Sequence, residues 1–204
     1  MSLVIVGAGG HGREVLDVAE ACGEPFAGFV DDGHPDPEPL RRRGLTLLGG
    51  LDALADHAGP VVLGVGDSAV RGQLAEALSV RWARPLVHPS ASLGGDVEMA
   101  DGTVVAAGAR LTTHIVVGAH GYVGPNATVG HDAVLGRCVT ILPGATVSGA
   151  VRLGDGATVG TGANLRQGVV VGDGAVVGAG AVVVADVPPG ATVVGVPARP
   201  VTGR

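Results

Sequence analysis

Hydrophobic positions recur every six residues through most of the second half of the chain. When residues 93–188 are cut into blocks of six, all sixteen blocks begin with an aliphatic residue. The fifth position of every block is small or apolar, and the second is small with three exceptions. The leading residues are Leu93, Met99, Val105, Leu111, Val117, Val123, Val129, Leu135, Ile141, Val147, Leu153, Val159, Leu165, Val171, Val177 and Val183.

A period of six fits a prism that has one short strand and one corner per block. The leading aliphatic residue would stack inside the prism, and the small residue would fit the corner. β-Sandwiches show no fixed six-residue phase. The pattern therefore predicts a parallel β-helix. Because stacked coils leave flat faces, we expect copies of the chain to associate through those faces as a homotrimer.

Residues 1–86 follow a different pattern, in which short apolar runs alternate with segments of helical spacing. This alternation favours an α/β domain with a parallel sheet. Strands are predicted at 3–10, 26–32, 44–50 and 59–66, and helices at 11–23, 51–58 and 68–80. A polar, Pro-rich stretch at 34–44 is predicted to be a loop. The chain thus divides into a domain of residues 1–86 and a domain of residues 87–204 that includes a C-terminal tail.

Composition supports this division and excludes several classes of protein. The chain has 37 Gly and only four aromatic residues, which disfavours a helical bundle because an interior Gly costs about 1 kcal/mol. A net charge of −6 gives no reason to expect nucleic-acid binding. Residues 112–130 lack charges but contain His, Asn, Pro and four Gly, so we expect no membrane insertion. With no recognisable signal peptide and only two Cys, the chain is expected to be cytoplasmic.

A glycine-rich loop follows the first predicted strand. Gly7, Gly9 and Gly12 match the pattern G-x-G-x-x-G, which lets a chain approach phosphate at a helix N-terminus. Asp31 stands 19 residues beyond Gly12, near the place of a ribose-binding acid. By itself this motif suggests an NAD site, or a loop whose glycines serve only the turn. A domain of about 86 residues is, however, too short for the two-half dinucleotide fold.

A second polar group follows the last predicted strand of this domain. Gly66 and Asp67 end the strand, and Arg71 comes one turn into the next helix. The group fits a contact with ligand, and it equally fits a simple helix N-terminus with an exposed Arg. The sequence leaves both readings open.

Five short motifs, taken together with the blocks of six, point to a known family. They are GAGGHGREV at 7–15, VDD at 30–32, HPSA at 88–91, HD at 131–132 and GVPAR at 195–199. The chain resembles the left-handed β-helix acyltransferases. Within them it is similar to the nucleotide-sugar acetyltransferases related to the sialic acid O-acetyltransferase NeuD and the UDP-4-amino-sugar N-acetyltransferase PglD. The resemblance covers nearly the whole chain and implies a Rossmann-like domain followed by a left-handed parallel β-helix.

The family implies an acetyl-CoA-dependent N-acetyltransferase that acts on a nucleotide-linked amino sugar, with UDP expected and no metal. Direct transfer in a ternary complex needs a base that works near neutral pH, and His is suited to it. The family's pair of base and acid falls on His131 and Asp132, where Asp132 would fix the imidazole tautomer. His114 lies three blocks earlier and either lines the same cleft or is a plain surface residue. Cys138 is not expected to be a nucleophile.

The resemblance also implies where the nucleotide sugar would bind. Its phosphates would lie against Gly9, Gly10 and His11 at the glycine loop. Its nucleoside would lie against Asp31 and Asp32. The glycine loop is then a nucleotide-sugar site rather than an NAD site.

Acetyl-CoA would lie along the coils between neighbouring subunits. The positions that match the family's contacts are Thr140, Gly149, Thr161 and Ala179, with the Gly149 amide near the thioester carbonyl. One departure concerns Thr140, since some family members have a second His there. A Thr donates a hydrogen bond but cannot carry a proton, which puts the handling of the substrate in doubt.

Three other functions remain open at this stage. The first is a sugar O-acetyltransferase of the sialic-acid type, because the same base would serve a hydroxyl. The second is a non-catalytic protein that binds nucleotide sugars or acts as a scaffold, although the retained HD pair argues against it. The third is an NAD-dependent oxidoreductase, for which the chain offers no substrate domain.

Overall fold

The computed structural model describes residues 1–201, and its N-terminal half is a four-stranded parallel sheet flanked by helices. The elements are β1 (Leu3–Val6), α1 (Gly10–Ala21), β2 (Phe26–Val30), α2 (Pro37–Arg42), β3 (Leu47–Gly49), a 3-10 turn (Leu51–Leu54), β4 (Val61–Leu63) and α3 (Ser68–Ala77). The strand order is β3-β2-β1-β4, with every pair parallel. Strands β1 and β4 are buried throughout, as their continuous apolar runs require. The predicted α/β domain is confirmed.

One helix lies where the sequence pattern predicted a loop. Helix α2 occupies the middle of the Pro-rich stretch 34–44. Asp36 caps it by accepting a hydrogen bond from the Glu38 amide at 3.0 Å, and Pro37 stands in its first turn. The loop prediction was wrong because Pro at a helix start lacks only an N–H that would be unpaired anyway.

The second half is a triangular β-helix with three faces. Face 1 contains Leu86–Val87, Val104–Val105, Tyr122–Val123, Thr140–Ile141, Thr158–Val159, Val176–Val177, Thr192–Val194 and the antiparallel Arg199–Pro200. Face 2 contains Ser92–Leu93, Arg110–Leu111, Thr128–Val129, Thr146–Val147, Asn164–Leu165 and Val182–Val183. Face 3 contains Val97–Met99, Ile115–Val117, Val134–Leu135, Arg152–Leu153 and Val170–Val171. Each coil visits faces 1, 2 and 3 in turn.

Neighbouring strands on a face are eighteen residues apart in sequence. Tyr122 pairs with Thr140, and Val123 with Ile141, in parallel register. Three blocks of six therefore make one coil, and the block pattern seen in the sequence is the coil register. The predicted left-handed β-helix is confirmed.

The interior of the β-helix is filled by the two apolar positions of each block. Leading residues such as Ile141 and Val147 are fully buried, and fifth residues such as Ala145 and Ala157 pack beside them. The exceptions lie in the first blocks, where Val97 and Met99 are partly buried and Leu93 is 39% exposed. Its strand pairs with only one neighbour, Arg110–Leu111, at the end of the stack. The inward row is thus a continuous aliphatic core.

The N-terminal domain packs on the outer side of face 1. One buried cluster joins Leu3, Ile5 and Leu16 of the sheet and α1 to Val104 and Tyr122 of the β-helix. Tyr122 also donates a hydrogen bond from its hydroxyl to Glu14 at 3.3 Å. A shared apolar core therefore fixes the two halves against each other.

The helices of the chain are short. The longest, α1, has 12 residues, whereas a membrane-spanning helix needs about 20 apolar residues. In the part of the chain that the structure describes, no helix is long and apolar enough to cross a membrane.

Truncation of one residue in the aliphatic row tests this account of the core. Ile141 is fully buried, so Ile141→Ala is expected to cost about 2–5 kcal/mol of unfolding free energy through lost burial and a cavity. Val170→Ala, at a position 41% exposed on face 3, should cost about 0.5 kcal/mol or less. Urea unfolding with an unchanged slope measures both variants. Equal losses would contradict an inward row at position 141.

Candidate active site

His131 and Asp132 lie at the corner between faces 2 and 3, and both side chains are about half exposed. The His131 Nδ1 atom is 2.6 Å from Asp132 Oδ2. Asp132 has a left-handed backbone with φ of 61°, and its amide donates to the Thr113 carbonyl in the previous coil at 3.1 Å. When Nδ1–H donates to the carboxylate, the imidazole presents a bare Nε2 that can accept a proton.

Gly149 lies against the His131 ring, eighteen residues further along the same corner. A Cβ at Gly149 would come within 2.5 Å of His131 Nε2, so only Gly leaves the ring in place. Within residues 1–201 the Gly149 N–H donates to no acceptor, although the residue is buried. A proton acceptor and an unpaired amide donor therefore meet at one corner. Acyl transfer needs both groups, one for the nucleophile and one for the developing oxyanion.

His114 extends this arrangement into the previous coils. Its Nδ1 lies 3.8 Å from Asp132 Oδ1, and its Nε2 lies 3.2 Å from Asp96 Oδ2. His114 thus lies beside Asp132 at the corner of the predicted base, and its role in a substrate cleft stays a prediction. All three side chains are more than half exposed, so each contact is worth at most about 1 kcal/mol.

The other predicted contacts with acetyl-CoA do not share this corner. Thr161 and Ala179 are exposed at the corner between faces 1 and 2, in successive coils. Thr140 lies on face 1, where its side chain is buried and its Oγ1 accepts a hydrogen bond from Arg71 at 2.7 Å. Its hydroxyl is therefore engaged inside the chain. Within one chain, Gly149 alone of the four lies beside His131.

The glycines of the loop between β1 and α1 have two different roles. Gly7 has φ of 102°, and a Cβ on Gly12 would overlap the Gly7 carbonyl oxygen, so the loop itself requires both. At Gly9 and Gly10, a Cβ would meet no described atom closer than 4.0 Å. These two glycines leave open space over the first turn of α1, as a closely approaching ligand requires.

Helix α1 begins with unpaired donors. Its N-cap is Gly9, and no described side chain caps it. The amides of Gly10, His11 and Gly12 likewise donate to nothing in the described range. The helix dipole adds about half a positive charge at this end. The predicted phosphate contacts thus coincide with a position suited to an anion.

The His11 side chain turns away from this open space, toward the β-helix. Its ring packs edge-on against Tyr122, with 4.4 Å between the ring centroids. Burial, with a smaller contribution from the Arg71 charge, lowers the pKa of His11 to about 4. His11 is therefore neutral at pH 7.

Asp31 and Asp32 hold the loops around the glycine loop. Asp31 accepts hydrogen bonds from the Ala8 and Gly33 amides, both at 2.8 Å. Asp32 accepts one from the Leu51 amide at 2.8 Å. Each carboxylate keeps further lone pairs, so the predicted contacts with a nucleoside stay a prediction beside this structural role.

A groove with a volume of about 690 Å³ opens between the first turns of α3 and the corner between faces 3 and 1. Its charged lining includes Asp67 from α3 and Arg137 and Asp155 from the β-helix. At one end, Gly66 of the lining lies against His11 of the glycine loop. The volume suits a small-molecule site. The sequence pattern gave no sign of the groove because α3 and these coils are far apart along the chain.

The described residues contain no group of three or more His, Cys, Asp or Glu side chains that could hold a metal ion.

Two family models match the chain. The PglD N-terminal domain matches residues 2–78, and the bacterial transferase hexapeptide model of six repeats matches residues 150–185. A comparison with curated proteins found no match.

Several solved structures match along nearly the whole chain. PerB from Caulobacter crescentus, in complex with CoA and GDP-perosamine, is 31% identical, covers 99% of this chain and 98% of its own, and has a TM-score of 0.91. The acetyltransferase domain of PglB from Neisseria gonorrhoeae, in complex with acetyl coenzyme A, is 36% identical over 98% of both chains, with a TM-score of 0.85. WeeI from Acinetobacter baumannii is 30% identical over 98% of this chain and 100% of its own, with a TM-score of 0.86.

A β-helix of six-residue blocks with this N-terminal domain defines an acyltransferase of the hexapeptide superfamily. Given these identities over its whole length, the chain belongs to the PglD-like acetyltransferases of that superfamily. The resemblance seen in the sequence is confirmed. Acetyl-CoA as cosubstrate agrees with the CoA and acetyl coenzyme A complexes of the relatives.

A methyl group at Gly149 tests the corner directly. Gly149 does not have a positive φ, so Ala is compatible with its backbone. Its methyl group would displace the His131 ring, and we expect kcat/KM for acetyl transfer to fall about a hundredfold or more. Initial rates and thermal unfolding measure the two effects separately.

Gly95→Ala is the matched control, because Gly95 occupies the same corner three coils earlier. A Cβ there would meet only Thr113 Oγ1, at 4.0 Å. Gly95→Ala should keep the activity of the unaltered enzyme. If Gly149→Ala behaved in the same way, the placement of the His131 ring would be refuted.

Proposed function

We propose that this chain transfers the acetyl group of acetyl-CoA to the amino group of a nucleotide-linked amino sugar. The observation that carries the proposal is the corner where His131 Nε2 stands over Gly149 with its unpaired amide. Support comes from the relatives, since PerB was solved with CoA and GDP-perosamine. Acetyl-CoA as the donor also makes the cytoplasm the proposed location.

His131 is the proposed general base. Its Nε2 takes a proton from the amine while the amine nitrogen attacks the thioester carbonyl carbon. Asp132 accepts the Nδ1–H bond at 2.6 Å and stabilises the imidazolium that forms. As the C–N bond forms, the Gly149 N–H donates to the carbonyl oxygen, which gains negative charge. The C–S bond then breaks, and the proton on His131 passes to the departing sulfur.

The glycine loop and the groove are proposed to hold the nucleotide sugar. The unpaired amides at the start of α1 would take the diphosphate, and Asp31 and Asp32 border the space for the nucleoside. The resemblance makes UDP the first nucleotide to test. The GDP-perosamine bound to PerB makes GDP the second.

A complete site is proposed to need two subunits of a homotrimer. In one chain, His131 lies between faces 2 and 3, whereas the groove lies between faces 3 and 1. The two are therefore separated by the width of face 3, roughly 20 Å for a block of six extended residues. Thr161 and Ala179, at the third corner, are also remote from His131 of the same chain. Packing of neighbouring β-helices would bring these corners together.

Removal of the base tests the chemical role of the corner. We expect His131→Ala to lower the rate by several hundredfold or more, since a general base contributes about that much. Asp132→Asn should lose less, because the imidazole keeps its position. Release of CoA with a nucleotide-linked amino sugar is the measurement.

His34→Asn, in the exposed stretch after β2, is the control and should turn over normally. Near-normal turnover by His131→Ala would refute the assignment of the base. A wild-type chain that binds the nucleotide sugar but releases no CoA would favour a non-catalytic binding protein.

Mixed trimers test the sharing of sites between subunits. Gly10→Glu puts a carboxylate over the first turn of α1, in space that is open in the structure, and should repel the diphosphate. We expect Gly10→Glu and His131→Ala to be inactive alone, but to regain about a quarter of wild-type activity when co-assembled at equal amounts. That fraction is the chance that a site combines the intact glycine loop of a His131→Ala subunit with the intact His131 of a neighbouring Gly10→Glu subunit. No recovery in verified mixed trimers would show that each site lies within one subunit.

A further inference from the structure

Arg71, in the second turn of α3, is almost completely buried, at 1% exposure. The sequence left an exposed Arg as one reading of this position, and the structure overturns that reading. Its guanidinium donates to the carbonyl oxygens of Val65 and Gly66, where the chain leaves β4, at 2.9 and 3.2 Å. On its other side it donates to the β-helix. The acceptors there are the carbonyl oxygens of His120, Cys138 and Val139 and the Oγ1 of Thr140, at 2.7 to 3.3 Å.

None of these acceptors carries a negative charge. Among residues 1–201, no Asp or Glu oxygen lies within the 4.0 Å that defines an ion pair with this guanidinium. Burial lowers the pKa of Arg71, but an Arg side chain stays protonated at any physiological pH. A buried cation is costly unless a counter-charge offsets it. The charge of Asp67, one turn earlier, acts against this lowering of the pKa, but no described carboxylate pairs directly with the guanidinium. The fold thus keeps a buried positive charge whose hydrogen bonds go to carbonyl groups and a hydroxyl.

This buried charge, which no carboxylate pairs with directly, lies behind the glycine loop. Arg71 holds Gly66, and a Cβ on Gly66 would lie 3.7 Å from His11. His11 belongs to the first turn of α1, where the backbone amides have no hydrogen-bond acceptor among the described residues. Burial, and after it the charge of Arg71, lowers the pKa of His11 in this turn.

We propose that Arg71 is the fixed counter-charge for the diphosphate of the nucleotide-linked substrate, acting from behind the Gly66 backbone without touching the ligand. The inference rests on the proposed function for the nature of the ligand. Arg71 is in this sense a positioning residue, since its guanidinium also hydrogen-bonds to both the end of β4 and the coils of the β-helix. Its charge sets the affinity for the diphosphate, and its hydrogen bonds set the geometry of the groove.

The expected size of the effect follows from Coulomb's law. For two phosphate charges roughly 8 to 10 Å from the guanidinium and an effective dielectric constant of about 40, removal of the positive charge should weaken diphosphate binding roughly tenfold to thirtyfold. A nucleoside without phosphate should lose almost nothing.

Two substitutions at Thr140, Asp and Asn, have the same shape as each other and differ in charge. They separate the effect of the Arg71 charge on binding from the effect of its hydrogen bonds on the structure. Thr140 Oγ1 lies 2.7 Å from the guanidinium, so Thr140→Asp would place a carboxylate beside Arg71 and neutralise it. Thr140→Asn has nearly the same shape and no charge. Calorimetric binding of inorganic pyrophosphate, UDP and GDP to the full chain should show roughly tenfold to thirtyfold weaker binding for the Asp variant than for the Asn variant. Uridine and guanosine should bind the two variants equally.

Substitution of Arg71 itself gives a second pair, which decides the matter if Thr140→Asp does not fold. Arg71→Lys keeps the charge and should bind pyrophosphate within about threefold of wild type, whereas Arg71→Met should lose the full tenfold to thirtyfold. Equal affinities within the pair at Thr140, or equal losses for Arg71→Lys and Arg71→Met, would overturn the proposal. These binding measurements do not depend on acetyl transfer. A wild-type chain that binds diphosphates but releases no CoA would therefore count against the proposed function and not against this role of Arg71.

Discussion

The pairing of each strand with the strand eighteen residues later is the constraint on which the rest of the structure depends. It sets three blocks per coil, turns the leading aliphatic residue of each block inward, and stacks equivalent corner residues above one another. His131 therefore stands next to Gly149, one coil away, and Asp132 stands next to His114. The same register that buries the core brings a candidate base and an unpaired amide together at one corner.

The second organising feature is the docking of the N-terminal domain on face 1. Apolar packing around Tyr122 and the hydrogen bonds of Arg71 fix the carboxyl ends of β1 and β4 against the middle coils. That edge carries the glycine loop and opens into the groove, at a different corner from His131. One chain thus presents the proposed anion-binding end and the proposed catalytic corner at positions that do not face each other. This separation is the physical reason to expect a shared site in an assembly.

The sequence predicted whatever depends on local spacing. The blocks of six predicted the β-helix and its register, and the family motifs singled out His131 and Gly149, which the structure places side by side. Helix α2 was missed because Asp36 and Pro37 together make a start signal that composition alone hides. The burial of Arg71 and of Thr140 could not be predicted from the sequence, since their contact joins positions 69 residues apart. Asp31 and Asp32 show a similar limit, because their bonds to loop amides follow only from how the loops meet.

Product analysis with the wild-type enzyme tests whether the His131 corner acetylates the amine of a nucleotide-linked sugar. Acetyl-CoA would be offered with UDP- or GDP-linked amino sugars and, in parallel, with the same sugars bearing a hydroxyl in place of the amine. We expect CoA release and a single N-acetyl product from an amino sugar, and no turnover of its hydroxyl analogue. Acetylation of the hydroxyl analogue alone, or release of CoA only with sugars that lack a nucleotide, would contradict it.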